Sequence, residues 1–126
     1  MGNMYRTHLE LPVYKDAFAA ASEVFRISKM FPPEERYSLT DQIRRSSRSV
    51  CANIAEAWRK RRSEAYFTST LNIAEGEAAE TQVWLQFAVE CTYTPAETAR
   101  PLYLKYDEIL AQIVHLINNP GPWILK

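Results

Sequence analysis

The chain has few of the residues that build most catalytic and metal sites, since its 126 residues include only two histidines, two cysteines and three glycines. A di-iron bundle needs inward-facing Glu-x-x-His pairs, but Tyr5 and Gln112 stand three residues before His8 and His115. The glycines are too scattered for a phosphate-binding loop: they are Gly2, Gly76 and Gly121. We therefore expect no metal site, no cofactor and no enzymatic activity.

The chain also lacks a long apolar run. No stretch approaches the roughly 18 consecutive apolar residues of a membrane span, and residues 1–16 lack the apolar core of a secretory signal. An antiparallel bundle would place Cys51 level with Ala74, ~25 Å from Cys91, so an internal disulfide is not expected. We expect a cytoplasmic protein in which Cys51 is inert packing beside an apolar seam.

The formal charges balance, with 15 basic and 15 acidic residues, but they are distributed unevenly. Between positions 44 and 62 there is one acid, Glu56, and there are seven basic residues: Arg44, Arg45, Arg48, Arg59, Lys60, Arg61 and Arg62. Positions 64–97 instead carry six acids and no Lys or Arg. Such a strip is either a surface for a polyanion or a solvated face that pairs with the neighbouring acidic helix.

Apolar residues recur at helical spacing in four segments, and strand patterns are absent. The segments span about residues 12–30, 38–60, 63–91 and 95–118, and a tail covers 119–126. Because the connections are short, the pattern predicts one all-α domain, an antiparallel up-down-up-down four-helix bundle. The predicted core face of the first helix is Tyr14, Ala17, Phe18, Ala21, Val24, Phe25 and Ser28. The predicted seam of the second is Leu39, Ile43, Val50, Ile54, Ala57 and Trp58, and that of the third is Phe67, Leu71, Ala74, Ala78, Leu85 and Ala88.

Capping residues mark the predicted helix starts. Ser38 with Asp41 three residues later predicts a weak capping box for the second helix, and Ser63 predicts a cap for the third. The fourth helix is predicted to begin with Thr94 as cap and Pro95 at the first helical position. Pro101 predicts a kink or a restart within it.

The third helix has more apolar surface than one bundle core can use. Its surplus residues form a second band: Tyr66, Ile73, Trp84 and Phe87. A contiguous apolar patch of this kind favours a homo-oligomer interface, and the alternative is that loops or the tail cover it. Gly76, in the middle of the helix, is predicted to allow close approach of a neighbouring helix. The tail ends in Ile124, Leu125 and Lys126 and is expected to dock on its own bundle or on a neighbour's.

Three segments of the chain resemble a known bacterial family. They are FPPEERYSLTDQIRRSS at 31–47, NIAEA at 53–57 and IAEGEAAE at 73–80. With the aromatic-containing first helix, they are similar, over about residues 9–118, to the four-helix bundle proteins encoded in intervening sequences of large-subunit ribosomal RNA genes. The resemblance implies a homopentamer and a distant similarity to RNA-binding accessory proteins of diversity-generating retroelements. The chain departs from the family pattern at Cys51 and Ala52, where a Pro-Ser-like pair is common, and at Ala57, where Gly is frequent.

Two non-enzymatic functions are compatible with these features. The first is RNA binding by the seven basic residues of the second helix, which a ring would multiply. The second is a structural or adaptor role in which the oligomer binds another protein through its apolar patches or acidic face. A salt titration of RNA binding distinguishes the two hypotheses.

Overall fold

The computed structural model describes residues 5–126. Residues 1–4, which include Gly2 and the start of the segment compared above with a secretory signal, lie outside it. Four helices account for most of the described chain: α1 (Pro12–Ser28), α2 (Leu39–Arg59), α3 (Glu64–Glu90) and α4 (Ala96–Asn118). Three short 3-10 turns lie at His8–Glu10, Pro33–Glu35 and Gly121–Trp123, and residues 5–126 contain no strand. The predicted all-α class is confirmed, and every predicted helix end lies within two residues of the observed one.

Helix α2 runs antiparallel to α3. Arg45 of α2 contacts Glu80 of α3 at 2.6 Å, whereas Ser49, one turn later in α2, contacts Glu77, one turn earlier in α3. Each helix packs against its neighbours in sequence, and α4 closes the bundle against α1. This arrangement puts α1 and α3 at opposite corners of the bundle.

The core consists of one seam from each helix. Trp58 of α2 and Tyr106 of α4 are its two largest fully buried side chains. All residues of the seams predicted for the second and third helices are buried, which confirms both. Apolar burial of this extent, at about 25 cal/mol per Å², is the main driving force for such a bundle.

The predicted core face of α1 is partly wrong. Phe18 and Phe25 are 56% and 38% exposed, whereas the buried residues of α1 are Val13, Ala17, Ala20, Val24, Ile27 and Ser28. Two overlapping sets of positions in α1 have helical spacing, and they share Ala17, Val24 and Ser28. The smaller residues are buried because α1 must pack against both α2 and α4, and the two phenyl rings are left beside α2.

Ser38 and Ser63 stand at the starts of α2 and α3 as predicted, but only one of the three predicted capping hydrogen bonds is made. Ser63 accepts from the Tyr66 backbone N–H at 3.2 Å, as predicted for α3. At the start of α2, however, Ser38 makes no capping bond, and its hydroxyl donates to the Glu35 carboxylate. Glu35 also accepts from the Leu39 backbone N–H at 3.1 Å, so a carboxylate before the helix replaces the predicted capping box.

The start of α4 also differs from the prediction. Pro95 is the cap residue, in an extended conformation with ψ of 145°, and the helix begins at Ala96. The side chain of Thr94 is 4% exposed and makes no capping bond. The helix continues through Pro101 to Asn118 without the predicted restart. Thr94 is therefore buried instead of capping the helix, and tertiary packing outweighs the local preference for threonine at a cap.

The tail docks on its own bundle. The Leu125 backbone N–H donates to the Arg61 carbonyl oxygen at 3.0 Å. The ring of Trp123 packs edge-on against Trp58, with 6.2 Å between centroids, and stacks with Tyr5 at 6.0 Å. The tail thereby covers the end of the bundle at which α2 finishes.

Candidate nucleic-acid and subunit-contact surfaces

The seven basic residues predicted to bind RNA do not form one surface. They follow α2 and the turn after it, but neighbouring helices engage them differently. Arg45 contacts acids of α3, Arg61 packs on a tryptophan, Arg44 and Arg48 lie against α1, and the remaining three project from the end of α2.

Arg45 is held by two carboxylates of α3. Its guanidinium contacts Glu80 at 2.6 Å and Glu77 at 3.3 Å. Glu77 also accepts from the Ser49 hydroxyl at 3.1 Å. Burial raises the pKa of Glu77, but hydrogen bonds from its neighbours outweigh burial and leave this pKa lowered. For Glu80, burial and the hydrogen bond with Glu77 raise the pKa. Arg45 therefore neutralises a pair of acids within its own subunit.

Arg61 is held against the core. Its guanidinium carbon lies 3.5 Å from the centroid of the Trp58 ring, and its Nε donates to the Trp58 carbonyl oxygen at 2.7 Å. Burial lowers the pKa of Arg61, although not enough to remove its charge at neutral pH. This stacking is a packing contact and leaves Arg61 little freedom to reach a phosphate.

Arg44 and Arg48 converge on an exposed phenyl ring of α1. Their guanidinium carbons lie 4.7 and 5.5 Å from the centroid of Phe25, and Lys29 Nζ lies 4.8 Å from it. Arg44 Nε also donates to the Ser28 hydroxyl at 2.7 Å. Three cations thus surround one ring. None of the three pairs with an acid within residues 5–126.

Phe25 belongs to an apolar groove between α1 and α2 that the sequence pattern does not predict. The α1–α2 groove has a volume of about 500 Å³. Its lining residues are Tyr14, Phe18, Ala21, Ser22, Phe25, Arg48, Cys51, Ala52 and Ala55. The sequence predicts Phe18 and Phe25 in the core because their spacing suits either face of α1. Val13, Ala20 and Ile27 also have helical spacing, and this pattern could have indicated that they are buried and that the two phenyl rings are exposed.

The last three basic residues lie at the end of α2. Arg59, Lys60 and Arg62 are exposed. Lys60 contacts Glu56, one turn earlier in the same helix, at 3.4 Å, an exposed pairing worth only a few tenths of a kcal/mol. In the part of the chain that the structure describes, Arg59 and Arg62 have no acidic partner.

The outward side of α3 carries most of the predicted interface residues. Tyr66, Ile73 and Phe87 are 65%, 53% and 51% exposed, and Val83 adds a further apolar side chain at 41%. We call these four residues the α3 outer face. Trp84 is different, because it is half-buried against the core and packs on Phe87 with 6.1 Å between ring centroids.

Gly76 lies on the same outward side of α3. A Cβ placed on it would meet nothing within 4 Å. The predicted close approach of another helix therefore does not occur within the subunit. The tail does not cover the α3 outer face either, since it docks at the Trp58 end of the bundle.

The Cys51 thiol is buried between α1 and α2 and is not ionised. Burial raises the pKa of the Cys51 thiol to about 11, and the thiol is therefore protonated at neutral pH. Both cysteines are free. Among residues 5–126 no group of three or more His, Cys, Asp or Glu side chains is placed to hold a metal ion. Over the same residues no helix is both long enough and apolar enough to cross a bilayer.

Comparison with known proteins agrees with the resemblance seen in the sequence. Residues 9–115 match the family described as 23S rRNA-intervening sequence protein. No curated protein matches the chain. A solved structure of a protein of unknown function, from the S23 ribosomal protein family of Bacteroides thetaiotaomicron, is 30% identical to it, with a TM-score of 0.75. That similarity covers 83% of this chain and 97% of the other. With most of its length matched, the chain belongs to the 23S rRNA-intervening sequence protein family.

Proposed function

We propose that this protein is a non-enzymatic, self-associating four-helix bundle of the cytoplasm that binds RNA at the end of α2. The proposal rests on one observation, the exposure of Arg59 and Arg62 together with the lack of an acidic partner for either among the described residues. With Lys60 between them, they present three cations within four residues of chain.

Self-association would multiply this small cluster. The α3 outer face is an exposed apolar patch of the kind that marks protein contacts. In a cyclic assembly every copy has the same orientation relative to the axis, so each copy presents the end of α2 on the same rim. A homopentamer, which the resemblance implies, would carry five such clusters on that rim.

The chemistry of the cluster suits phosphates rather than bases. Arginine and lysine on a rim displace counterions from a nucleic-acid backbone, and this release supplies affinity without sequence readout. Arg45 and Arg61 are left out of the proposed surface because both are engaged within the subunit. We therefore expect binding that is strongly salt-dependent and weakly sequence-dependent.

The test measures binding of a fluorescein-labelled, unstructured RNA oligonucleotide by anisotropy, starting at about 50 mM salt, where phosphate contacts are strong. In the double variant Arg59→Glu and Arg62→Glu we expect at least about tenfold weaker binding. We also expect the slope of log K against log salt to fall by about 1.4 per bound subunit, since each lost contact to a single strand contributes about 0.7.

The matched control is Arg100→Glu, which reverses an exposed charge on α4, away from the end of α2. Its RNA binding should stay close to that of the wild type. If the double variant binds as well as the wild type, the RNA contact lies elsewhere. If the wild type does not bind at about 50 mM salt, RNA binding is refuted and the adaptor role takes its place.

A further inference from the structure

The bundle has two exposed apolar surfaces, and they differ in charge. The α1–α2 groove exposes Phe18 and Phe25, and its one charged lining residue is Arg48. Lys29 and Arg44 stand beside it, around the Phe25 ring. The groove is therefore both apolar and basic.

The α3 outer face is apolar and acidic. Glu90 follows Phe87 by three residues and Val83 by seven, so all three share one side of the helix. Glu90 is exposed and, within the described part of the chain, makes no ion pair. Glu80 follows Ile73 by seven residues on the other edge of this face. Glu80 is already paired with Arg45 of α2, so among the described residues Glu90 is the acid that this face leaves without a cation.

The surface of α3 around Gly76 is also free of bulky groups. The space beside Gly76 is open, although glycine inside a helix costs about 1 kcal/mol relative to alanine. Nothing within the subunit accounts for this cost. A helix from a second copy that approaches this point would account for it, because glycine lets two backbones come close.

The two surfaces cannot meet within one subunit. The groove lies beside α1, and α1 and α3 occupy opposite corners of the bundle. A contact between them therefore joins two copies. Such a contact is heterologous, because one copy contributes its groove and the other its α3 outer face. Each further copy can bind in the same way until a ring closes.

We propose that the α1–α2 groove of one copy receives the α3 outer face of a second copy. Complementary charge supports this occupant: cations around Phe25 face the unpaired Glu90, and phenyl rings face Ile73 and Phe87. The inference rests on the proposed self-association and specifies which surfaces carry it. It also assigns Arg44 and Arg48 to the subunit contact and leaves Arg59, Lys60 and Arg62 for RNA.

The test uses two variants that each break one surface. Phe18→Glu puts an acid into the groove, and Phe87→Glu puts an acid onto the α3 outer face. Both positions are more than half exposed, at 56% and 51%, so both variants should fold, as checked by circular dichroism. Each alone should be monomeric in native mass spectrometry, under conditions that keep the wild type assembled.

Mixing the two variants gives the decisive result. The Phe18→Glu chain keeps an intact α3 outer face, and the Phe87→Glu chain keeps an intact groove. An equimolar mixture should therefore form a heterodimer of twice the chain mass and nothing larger, because both remaining surfaces are broken. As a matched control, Leu104→Glu changes a 43% exposed apolar residue of α4 and should leave assembly unchanged.

The other outcomes separate this pairing from self-association itself. A wild type that is monomeric at every concentration refutes self-association and the pairing together. A wild type that assembles while Phe18→Glu also assembles, or a mixture that stays monomeric, refutes only the pairing. If Phe18→Glu assembles but loses binding to the labelled RNA, the groove is an RNA surface and the pairing is wrong.

Discussion

The Tyr93 hydroxyl donates a hydrogen bond of 2.8 Å to Glu35 Oε2, and this bond joins the turn before α4 to the start of α2. Glu35 Oε1 accepts from the Leu39 backbone N–H, so one carboxylate both caps a helix and holds a distant turn. Hydrogen bonds from Ser38, Leu39 and Tyr93 lower the pKa of Glu35. The same carboxylate raises the pKa of Tyr93 to about 12.

The ionisation of Glu35 makes stability depend on pH. Its pKa is lower in the folded state than the value of about 4.5 expected for an unfolded chain. The stabilisation is therefore fully present above pH 4.5 and is lost as the pH falls through the folded pKa. We expect Glu35→Gln to lower the free energy of unfolding by about 1 kcal/mol at pH 7, a magnitude typical of a weakened helix cap.

Urea unfolding at pH 7 and at about pH 3 measures this effect. The difference between Glu35→Gln and the wild type should shrink at the lower pH, because the unfolded chain takes up a proton at Glu35 below about pH 4.5 and the stabilisation is progressively lost. Glu34→Gln is the matched control, because Glu34 is exposed and precedes the same turn. An equal loss in both variants would show that the cap is not the cause.

The buried hydroxyl of Tyr106 lowers the stability of the fold by an amount that a substitution can measure. Tyr106 is fully buried, and its hydroxyl has no hydrogen-bond partner among the described residues. Burial without a partner costs about 1–3 kcal/mol. We therefore expect Tyr106→Phe to raise the free energy of unfolding by about 1 kcal/mol, measured by urea denaturation. Tyr106→Ala should instead lower it by about 3–5 kcal/mol through the cavity it leaves. A large loss in Tyr106→Phe would mean that the hydroxyl is bonded in solution.

Gly76 provides a test of helix propensity at an open position. An added Cβ meets nothing within 4 Å, and the residue lies inside α3. In the Phe87→Glu background, which lacks the proposed subunit contact, we expect Gly76→Ala to raise the free energy of unfolding by about 1 kcal/mol, by reducing the backbone freedom of the unfolded chain. Gly121→Ala is the control, since its surroundings are also open but it lies in the tail, outside the four long helices. A destabilised Gly76→Ala chain would indicate a close contact at this point.

The docking of the tail can be tested at Trp123. This half-buried ring packs between Trp58 and Tyr5. We expect Trp123→Ala to lower the free energy of unfolding by about 2 kcal/mol, less than the 3–5 kcal/mol of a fully buried aromatic residue. Leu125→Ala, at a 45% exposed position, should change stability little. Thermal unfolding followed by circular dichroism measures both, and equal stability of Trp123→Ala and wild type would show that the tail is not docked.

The sequence by itself determined the four helices and most of the core. Apolar spacing predicts a helix wherever one face must be buried, and Pro32, Pro33 and Pro120 stop the helices because proline cannot continue them. Local rules were weaker at the helix starts. Threonine is a favoured capping residue, but Thr94 is buried by the tertiary structure and does not cap α4. Glu35 caps α2 instead, although no local sequence motif marks it as a cap.

The candidate surfaces could be predicted only in outline. Arg45 and Arg48 lie three residues apart and look equivalent in a sequence, yet Arg45 contacts acids of α3 and Arg48 lies over Phe25 of α1. Helical periodicity fixes the direction in which a side chain leaves its helix, but it does not specify which helix stands there or which residue is level with it. That information comes from the packing of the four helices. It decided which arginines are engaged within the subunit, which are exposed without an acidic partner among residues 5–126, and which phenyl rings stay exposed.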